Sequence, residues 1–289
     1  MFLSPILLPA ERNALITTYK ILEARRFDLL KDTNRESINQ SALLSQEEVN
    51  SSQQGNIQYP QPIEDFLKFL TYLELENRFE EGKFSKFANI IEKKLQQKNR
   101  TNYVPTKFGG KEIKINVKKD LDIDLYNASS SIKQLAPLLL YLRYRAKEND
   151  LLIIDEPEMN LHPESQAKLL EVLGMLVNAG VNVLLTTHSP YFMSHLNNLI
   201  AGDMTDDATR EKQAKSLYLD DARAFLKPED VSAYEMRKDK TGKHQELHNL
   251  YDEDYGIRWD TLSDVSADIQ QKFFDIYEKG EKTSKGKES

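Results

Sequence analysis

Apolar residues recur with helical spacing in the first third of the chain. Residues 63–78 and 84–95 each place apolar side chains three or four positions apart, as Leu67 and Leu70 illustrate. The segment 51–62 is instead rich in Ser, Gln, Gly and Pro, a composition typical of a loop. These positions predict two helices whose apolar stripes pack against other elements.

The apolar period changes to two between residues 111 and 125, which predicts the strands of a hairpin. Continuous apolar runs then occur at 151–154 and 181–186, on either side of a helical pattern at 166–178. Such runs are typical of strands that are covered on both faces. Strand, helix and strand in this order predict a right-handed βαβ unit of a parallel sheet, and the apolar opening of the chain predicts one further strand.

Composition excludes several classes of protein. The chain of 289 residues is 39% hydrophobic and 29% charged, which is a globular rather than a disordered balance. It contains no cysteine, so disulfides and thiolate metal sites are excluded, and a reducing cytoplasm is the expected location. The opening apolar stretch is interrupted by Pro5 and Pro9 and lacks a basic start, so we expect no signal peptide. No apolar run approaches the roughly 20 residues of a membrane helix.

Charge is distributed unevenly along the chain. The formal net charge is -7, yet residues 83–119 contain ten lysines and one arginine against two glutamates, a local net charge of +9. Such a region can follow the phosphates of a nucleic acid. A solvated helix face followed by an exposed hairpin is the plainer interpretation, and it is the one we favour from the sequence.

Two carboxylates follow the apolar run at 151–154. Asp155 and Glu156 would lie at the carboxyl edge of the predicted sheet, where open α/β folds bind ligands. A hard cation prefers oxygen ligands, so Asp155 is a candidate to hold Mg²⁺ through its water shell. Glu156 is a candidate to polarise the water that attacks a γ-phosphate. An acidic pair after a strand is also a common surface feature, so the longer motif decides the interpretation.

The segment IIDEPEMNLHP, residues 153–163, resembles the Walker B motif and D-loop of ABC-type ATPases. The similarity is to the soluble branch that includes SMC-like repair proteins and OLD-like predicted ATPases. The usual motif of that branch, DEPE..LHP, is matched at every fixed position. The resemblance implies an α/β, P-loop NTPase-like fold with a mostly parallel sheet flanked by helices, and it implies ATP and Mg²⁺ as cofactors. It also places Asn160 and His162 on the D-loop, which communicates across a dimer in this family.

Two further segments carry the same resemblance. TTHSPYF puts His188 33 residues after Asp155, where the family has a switch histidine that contacts the γ-phosphate. NASSSIKQLAPLLLYL resembles the signature motif, which grips the γ-phosphate held by the other subunit.

The signature-like turn contains Ser129, Ser130 and Ser131 and precedes a predicted helix over 132–145. Backbone N–H groups, hydroxyls and a helix N-terminus suit an anion. Ser131 stands where the family usually has glycine, and an ordinary helix N-cap is the alternative interpretation of the turn.

The phosphate-binding motif G-x-x-x-x-G-K-[ST] does not occur in the sequence. Gly109-Gly110-Lys111 comes nearest, but Glu112 follows it and the segment is predicted to be a hairpin turn. PAER, residues 9–12, is similar to the strand and turn that follow the first half of such ATPases, and we assign it placement only. We therefore expect the N-terminal part of the fold to be missing and the chain alone to hydrolyse ATP slowly or not at all.

The resemblance also predicts a division of the chain. The expected parts are a remnant of the ATPase core, a helical insert, the core with its motifs, a C-terminal extension and a disordered tail. Their respective bounds are 1–20, 21–105, 106–200, 201–278 and 279–289.

Function is predicted at the level of the family. We expect the C-terminal half of an ABC-type ATPase, acting as a homodimer or with a complementing half that bears the P-loop, in bacterial anti-phage defence or DNA maintenance. A non-catalytic scaffold or regulatory subunit is the main alternative, and a transporter ATPase is weaker because the wording LSGGQ is missing. His244 and His248 have the spacing of a metal pair on one helix face, but no third ligand is evident.

Overall fold

The computed structural model describes residues 5–25, 59–76, 80–106, 110–119, 121–203, 207–239, 241–252, 256–259, 265 and 267–274. The chain divides into two compact units, Met1–Thr187 and His188–Ser289. The described elements of the first unit are, in chain order, β1 (Ile6–Leu8), α1 (12–25), α2 (Gln61–Leu75), α3 (Ser85–Leu95), β2 (Arg100–Pro105), β3 (Lys111–Lys118), β4 (Leu121–Asp124), α4 (Ser130–Tyr144), β5 (Leu151–Asp155), α5 (Pro163–Asn178) and β6 (Asn182–Thr186).

A parallel sheet with the strand order β1-β5-β6 carries the candidate site. The predicted βαβ unit is present as β5, α5 and β6, so the α/β fold class is confirmed. Helix α5 begins at Pro163, earlier than the expected residue 166, because proline suits the first helical position and His162 caps the helix.

Strand β6 is less covered than the sequence predicts. Leu184 is 55% exposed, and exposed and half-buried residues alternate along the strand. The expectation that β6 is buried on both faces is therefore wrong, because β6 lies at an edge of the described sheet. In β5, Leu152 and Ile154 are buried while Leu151 and Ile153 are half-buried.

Helices α2 and α3 bury the apolar stripes that their periodicity predicts. Side chains of α2 such as Phe66 and Leu70 are fully buried, and α2 packs on β1 and β3. The buried face of α3, including Phe87 and Ile91, packs on α4 and α5. The core of the first unit thus lies between these helices and the parallel sheet.

A second, antiparallel sheet has the order β2-β3-β4. The hairpin over 111–125 is confirmed, and Gly110 has a φ of 83° at the turn before β3. Strand β2 corrects the expectation of a wholly helical stretch over 21–105. Thr101 and Tyr103 alternate into the interior, where they are 0% and 9% exposed, and this short period-two pattern was hidden by its polar neighbours. The predicted bounds of the insert stay a prediction.

A buried ion pair joins α3, α4 and β2. Arg143 is 0% exposed, and its Nη2 lies 2.6 Å from Oε1 of Glu92. Its Nη1 donates to Asn89 at 3.1 Å and to Glu81 at 3.3 Å. Glu92 also accepts the backbone N–H of Thr101 at 2.9 Å, so one carboxylate holds three elements together.

The second unit contains short elements. Its described elements are α6 (Pro190–Asp203), α7 (Asp207–Ala214), β7 (Tyr234–Lys238), β8 (Gln245–Asn249), β9 (Tyr251–Asp252), β10 (Gly256–Ile257) and α8 (267–274). Strands β7 and β8 form one antiparallel pair, and β9 and β10 form another. The predicted tail at 279–289 lies outside the described residues, as does 26–58 of the predicted insert.

The histidine pair of the second unit does not lie on a helix. His248 belongs to β8 and His244 directly precedes that strand, because period-two pairing with β7 overrides the helical spacing. Within the ranges described, no cluster of three metal-ligating side chains occurs. None of the helices in those ranges is both long and apolar enough to cross a membrane.

Candidate nucleotide site at the carboxyl end of strand β5

Asp155, the predicted Mg²⁺ residue, and Glu156, the residue predicted to act on water, lie where the parallel strands β5 and β6 end together. Asp155 is paired in register with Thr186 at the end of β6. The Thr186 hydroxyl donates to Oδ1 of Asp155 and accepts the backbone N–H of Glu156 at 3.1 Å. One hydroxyl therefore holds both consecutive acidic residues, each of which is half-buried.

The chain turns sharply directly after β5. Glu156 has a φ of 44° and Asn160 a φ of 63°, left-handed values that residues other than glycine rarely adopt. The turn is closed by backbone bonds from Met159 to Glu156 at 3.2 Å and from Leu161 to Glu158 at 3.0 Å. Such a conformation costs about 1–3 kcal/mol per residue and persists only where neighbouring groups impose it.

Arg12, the first residue of α1, supplies part of that support. Its guanidinium is 2% exposed and donates to the carbonyl of Asp155 at 2.7 Å and to that of Glu156 at 3.0 Å. It also donates to the carbonyls of Pro9 at 2.9 Å and of Gln134 at 3.1 Å. The guanidinium thus ties the end of β5 to the chain after β1 and to α4.

The Gln134 amide completes the set of acceptors around Arg12. A guanidinium carries only donors, so oxygen belongs at the amide position that faces it. In that orientation Oε1 of Gln134 lies 2.7 Å from Nη2 and 3.2 Å from Nη1 of Arg12. All five N–H groups of the arginine then have an acceptor.

Burial lowers the pKa of the Arg12 guanidinium to about 10, and the negative charges of Asp155, Glu158 and Glu156 oppose that shift. The side chain is therefore still protonated at neutral pH. The buried positive charge interacts electrostatically with three acidic residues, while its direct hydrogen bonds go to neutral carbonyls.

The residues of the predicted D-loop lead from this turn into α5. Asn160 is exposed. His162 is also exposed, and its Nδ1 accepts the backbone N–H of Glu164 at 3.4 Å, so His162 caps α5. Glu158 accepts the Thr187 hydroxyl at 2.7 Å, which adds a side-chain link between the turn and the chain after β6. Contact of Asn160 or His162 with a nucleotide stays a prediction.

The predicted signature turn opens α4. Ser129 is the N-cap, and its Oγ accepts the backbone N–H of Ile132 at 3.4 Å and lies 3.0 Å from Oγ of Ser131. Ser129 and Ser130 are exposed and Ser131 is half-buried. The cap interpretation is therefore correct for Ser129, and phosphate binding by the turn stays a prediction.

His188 is exposed and is the first residue of the second unit. It follows Thr187 directly in the chain, and its predicted role at the γ-phosphate stays a prediction. The residues that the structure brings together are Asp155 and Glu156 with Thr186 and Arg12.

Two members of this arrangement escaped sequence reasoning. Arg12 lies in the PAER segment, whose pattern predicts no role for it, since nothing local reveals an acceptor 143 positions away. Thr186 follows an apolar run directly, and hydroxyl residues at strand ends are the signal that would have marked it.

Comparison with known proteins assigns the chain to a family. The family described as "AAA domain, putative AbiEii toxin, Type IV TA system" matches residues 8–194, nearly two thirds of the chain. The chain belongs to this family. It therefore carries an AAA-family ATPase domain, and proteins with such domains bind ATP with Mg²⁺.

The other comparisons found one kind of match among solved structures and none among curated proteins. Among solved structures, 29 chains match, including the Smc head domain with an extended coiled coil from Pyrococcus furiosus, bound to the C-terminal domain of ScpA. That match has 14% sequence identity and a TM-score of 0.32, and it covers 65% of this chain and 53% of the Smc chain. The chain thus spans about half the length of that structure. No curated protein matches.

Proposed function

We propose that the chain supplies the acidic half of an ABC-type ATP-hydrolysing site, in which Asp155 holds Mg²⁺ through water and Glu156 acts on the attacking water. One observation carries this proposal. Two consecutive, half-buried carboxylates end a strand of a parallel sheet, and their backbone is fixed by Thr186 on one side and Arg12 on the other. Carboxylate and hydroxyl oxygens are the ligands that Mg²⁺ prefers, so the donor set fits the ion.

The chemistry assigned to each residue follows from its position. When bound, ATP with Mg²⁺ supplies an electrophilic γ-phosphorus and neutralises charge on the phosphates. Asp155 orients the water shell of the cation, and Thr186 keeps that carboxylate in place through its hydroxyl. Glu156 hydrogen-bonds the attacking water and orients it, because a carboxylate is an acceptor at neutral pH.

The remaining motif residues act in a dimer in this proposal. Ser129, Ser130 and Ser131 bind the γ-phosphate held by the other subunit, because their turn joins hydroxyls to the N-terminus of a 15-residue helix. The D-loop residues Asn160 and His162 lie at the dimer contact. His188 contacts the γ-phosphate.

The phosphate cradle comes from a P-loop on another segment or on a complementing half. Support comes from β6, whose second edge pairs with none of the described strands. A strand edge of this kind offers N–H and C=O groups to a further strand. Exposure of Leu184 on the same strand is consistent with a surface that another element covers.

Nucleic acid is proposed as a further partner through residues 83–119. Ion pairs partly neutralise the positive charge of this region, since Lys83 contacts Glu148 and Lys114 contacts Asp124. Lys86, Lys93 and Lys94 on α3 are exposed and are the candidates for phosphate contact. By association with the family description, we propose a setting in bacterial anti-phage defence or DNA maintenance, in the cytoplasm.

The test is Mg²⁺-dependent ATP hydrolysis by the full chain, alone and as purified from its source with its native partners. Glu156→Gln is expected to lower kcat of the native complex about 10²- to 10⁴-fold with KM little changed, the usual contribution of a positioned acid–base group. The matched control is Glu148→Gln, which alters an exposed glutamate with no place in the site. We expect that control to hydrolyse ATP like the wild type.

Three other outcomes would overturn parts of the proposal. Turnover that survives Glu156→Gln removes the catalytic assignment. Robust turnover by the 289-residue chain alone, lost on Glu156→Gln, removes the need for a complementing P-loop. A native complex that neither binds nor hydrolyses ATP favours the scaffold or regulatory alternative.

A further inference from the structure

One buried side chain joins two motifs that lie far apart in the sequence. Arg12 donates to the carbonyls of Asp155 and Glu156 at the end of β5. The same guanidinium donates to the carbonyl of Gln134, and the amide oxygen of Gln134 faces it. Gln134 lies four residues after Ser130 on α4, which is about one helical turn from the serine turn.

We propose that Arg12 is a positioning residue that couples the Ser129–Ser131 turn to the backbone of Glu156. A displacement of the first turn of α4 moves Gln134, and Arg12 transmits that movement to the carbonyls after β5. The inference rests on the proposed function for its catalytic meaning, because it gives the turn that faces the other subunit a route to Glu156. The coupling itself requires only the hydrogen bonds of the free chain.

The choice of arginine supports a bridge rather than an ion pair. All five N–H groups of Arg12 find acceptors, and every acceptor is a neutral carbonyl or amide oxygen. A lysine has three donors on one atom and cannot reach carbonyls on both β5 and α4 with the same geometry. A side chain whose only task was to neutralise the acidic turn would contact a carboxylate directly.

Glu156 is a residue on which such a bridge can act. Its φ of 44° is left-handed, so its conformation depends on the groups that hold it. Three groups hold it directly: Thr186 accepts its N–H at 3.1 Å, while Arg12 at 3.0 Å and the N–H of Met159 at 3.2 Å donate to its carbonyl. Of these, only Arg12 reaches α4, so its loss leaves the local contacts of the turn and removes the link to α4.

The test measures coupling by hydrogen exchange of backbone amides in the full chain without nucleotide. Ser129→Ala removes the N-cap of α4 and is expected to raise exchange about fivefold at Ile132 and Lys133, whose N–H groups bond to Ser129, which corresponds to a cap worth about 1 kcal/mol. With Arg12 present, the amides of Glu156, Met159 and Leu161 are expected to respond in the same direction. In the Arg12→Lys background, Ser129→Ala is expected to change the exchange rates of the α4 amides only.

The matched control is Arg143→Lys, because Arg143 is an equally buried arginine on α4 that contacts neither Asp155 nor Glu156. In that background the response of the turn after β5 should persist. Gln134→Met is a milder variant that replaces Arg12→Lys in the test if Arg12→Lys does not fold. It removes the amide oxygen of residue 134 but keeps its backbone carbonyl, so it should weaken the coupling.

Two results would overturn the inference. In the first, Ser129→Ala changes amide exchange after β5 by the same amount in the Arg12→Lys background as in the wild-type background. In the second, Ser129→Ala changes no amide after β5 even when Arg12 is present. In the ATP-hydrolysing complex, Arg12→Lys is expected to lower kcat with little change in KM. Exchange coupling in a complex that binds no ATP would leave this inference standing while the proposed function fails.

Discussion

The ion pair between Arg143 and Glu92 allows a quantitative test of how the first unit is held together. Their side chains are 0% and 6% exposed, and Nη2 lies 2.6 Å from Oε1. Arg143→Met leaves the Glu92 carboxylate buried, with the N–H of Thr101 as its remaining donor among the described residues. Breaking one side of a buried pair costs about 3–5 kcal/mol, against a typical domain stability of about 5–15 kcal/mol.

Replacement of both Arg143 and Glu92 should lower the free energy of unfolding far less than replacement of Arg143 alone. Nε of Arg143 is buried and has no hydrogen-bond partner among the described residues, so the wild type already carries a desolvation penalty of about 1–3 kcal/mol at that atom. Apolar residues of similar volume often replace a buried pair without loss of stability. We therefore expect Arg143→Met with Glu92→Met to be at least about 2 kcal/mol more stable than the sum of the two single changes.

Equilibrium unfolding in urea measures both quantities. With a slope of about 2 kcal/mol per molar, Arg143→Met is expected to lower the midpoint by about 1.5–2.5 M, and the double variant should recover most of that shift. A single change that costs less than about 1 kcal/mol would refute the burial argument. Additive costs in the double variant would refute the claim that the two charges stabilise each other.

Three further predictions concern other parts of the chain. Gly202→Ala should lower the free energy of unfolding by about 1–3 kcal/mol in thermal or urea unfolding, because a Cβ there would lie 2.0 Å from the buried ring of Phe225. Thr186→Val should raise amide exchange at the residue after β5 about fivefold, the effect of losing a hydrogen bond worth about 1 kcal/mol. Lys93→Gln with Lys94→Gln should weaken DNA binding equally for all sequences and reduce the salt slope by about 2.

Each of these predictions has a result that would contradict it. Unchanged stability of Gly202→Ala would mean that the Phe225 ring moves aside at no cost. Unchanged exchange in Thr186→Val would mean that the hydroxyl does not hold the backbone. Lys83→Gln is the control for the lysine pair, because Lys83 is already paired with Glu148, and an equal loss of DNA binding there would remove α3 as the contact surface.

The local sequence pattern was sufficient to predict an element wherever that element buries one face. Helix α2 repeats apolar residues every three or four positions, and β5 is a continuous apolar run that ends in two carboxylates, so type and place of both elements follow from periodicity. The site at the end of β5 was predictable for the same reason. Parallel strands bring their carboxyl ends to one edge, and the sequence places Asp155 and Glu156 there.

Local pattern failed where burial depends on neighbours in space. Strand β2 begins with three polar residues, Arg100 to Asn102, and is a strand because β3 pairs with it. Leu184 belongs to an apolar run yet is half exposed, because the described sheet ends at β6. His248 has helical spacing from His244 and nevertheless pairs in a hairpin.

The amino-acid order thus determined the α/β class, the βαβ unit and the two acidic residues at its strand end, because these depend on spacings of a few positions. The tertiary structure decided which groups hold those residues. Arg12 lies 143 positions from Asp155 and 122 from Gln134, and Thr186 lies 30 positions from Glu156. A hydrogen bond over such separations forms only when the whole chain has packed, since no local period records which carbonyls a buried guanidinium will meet.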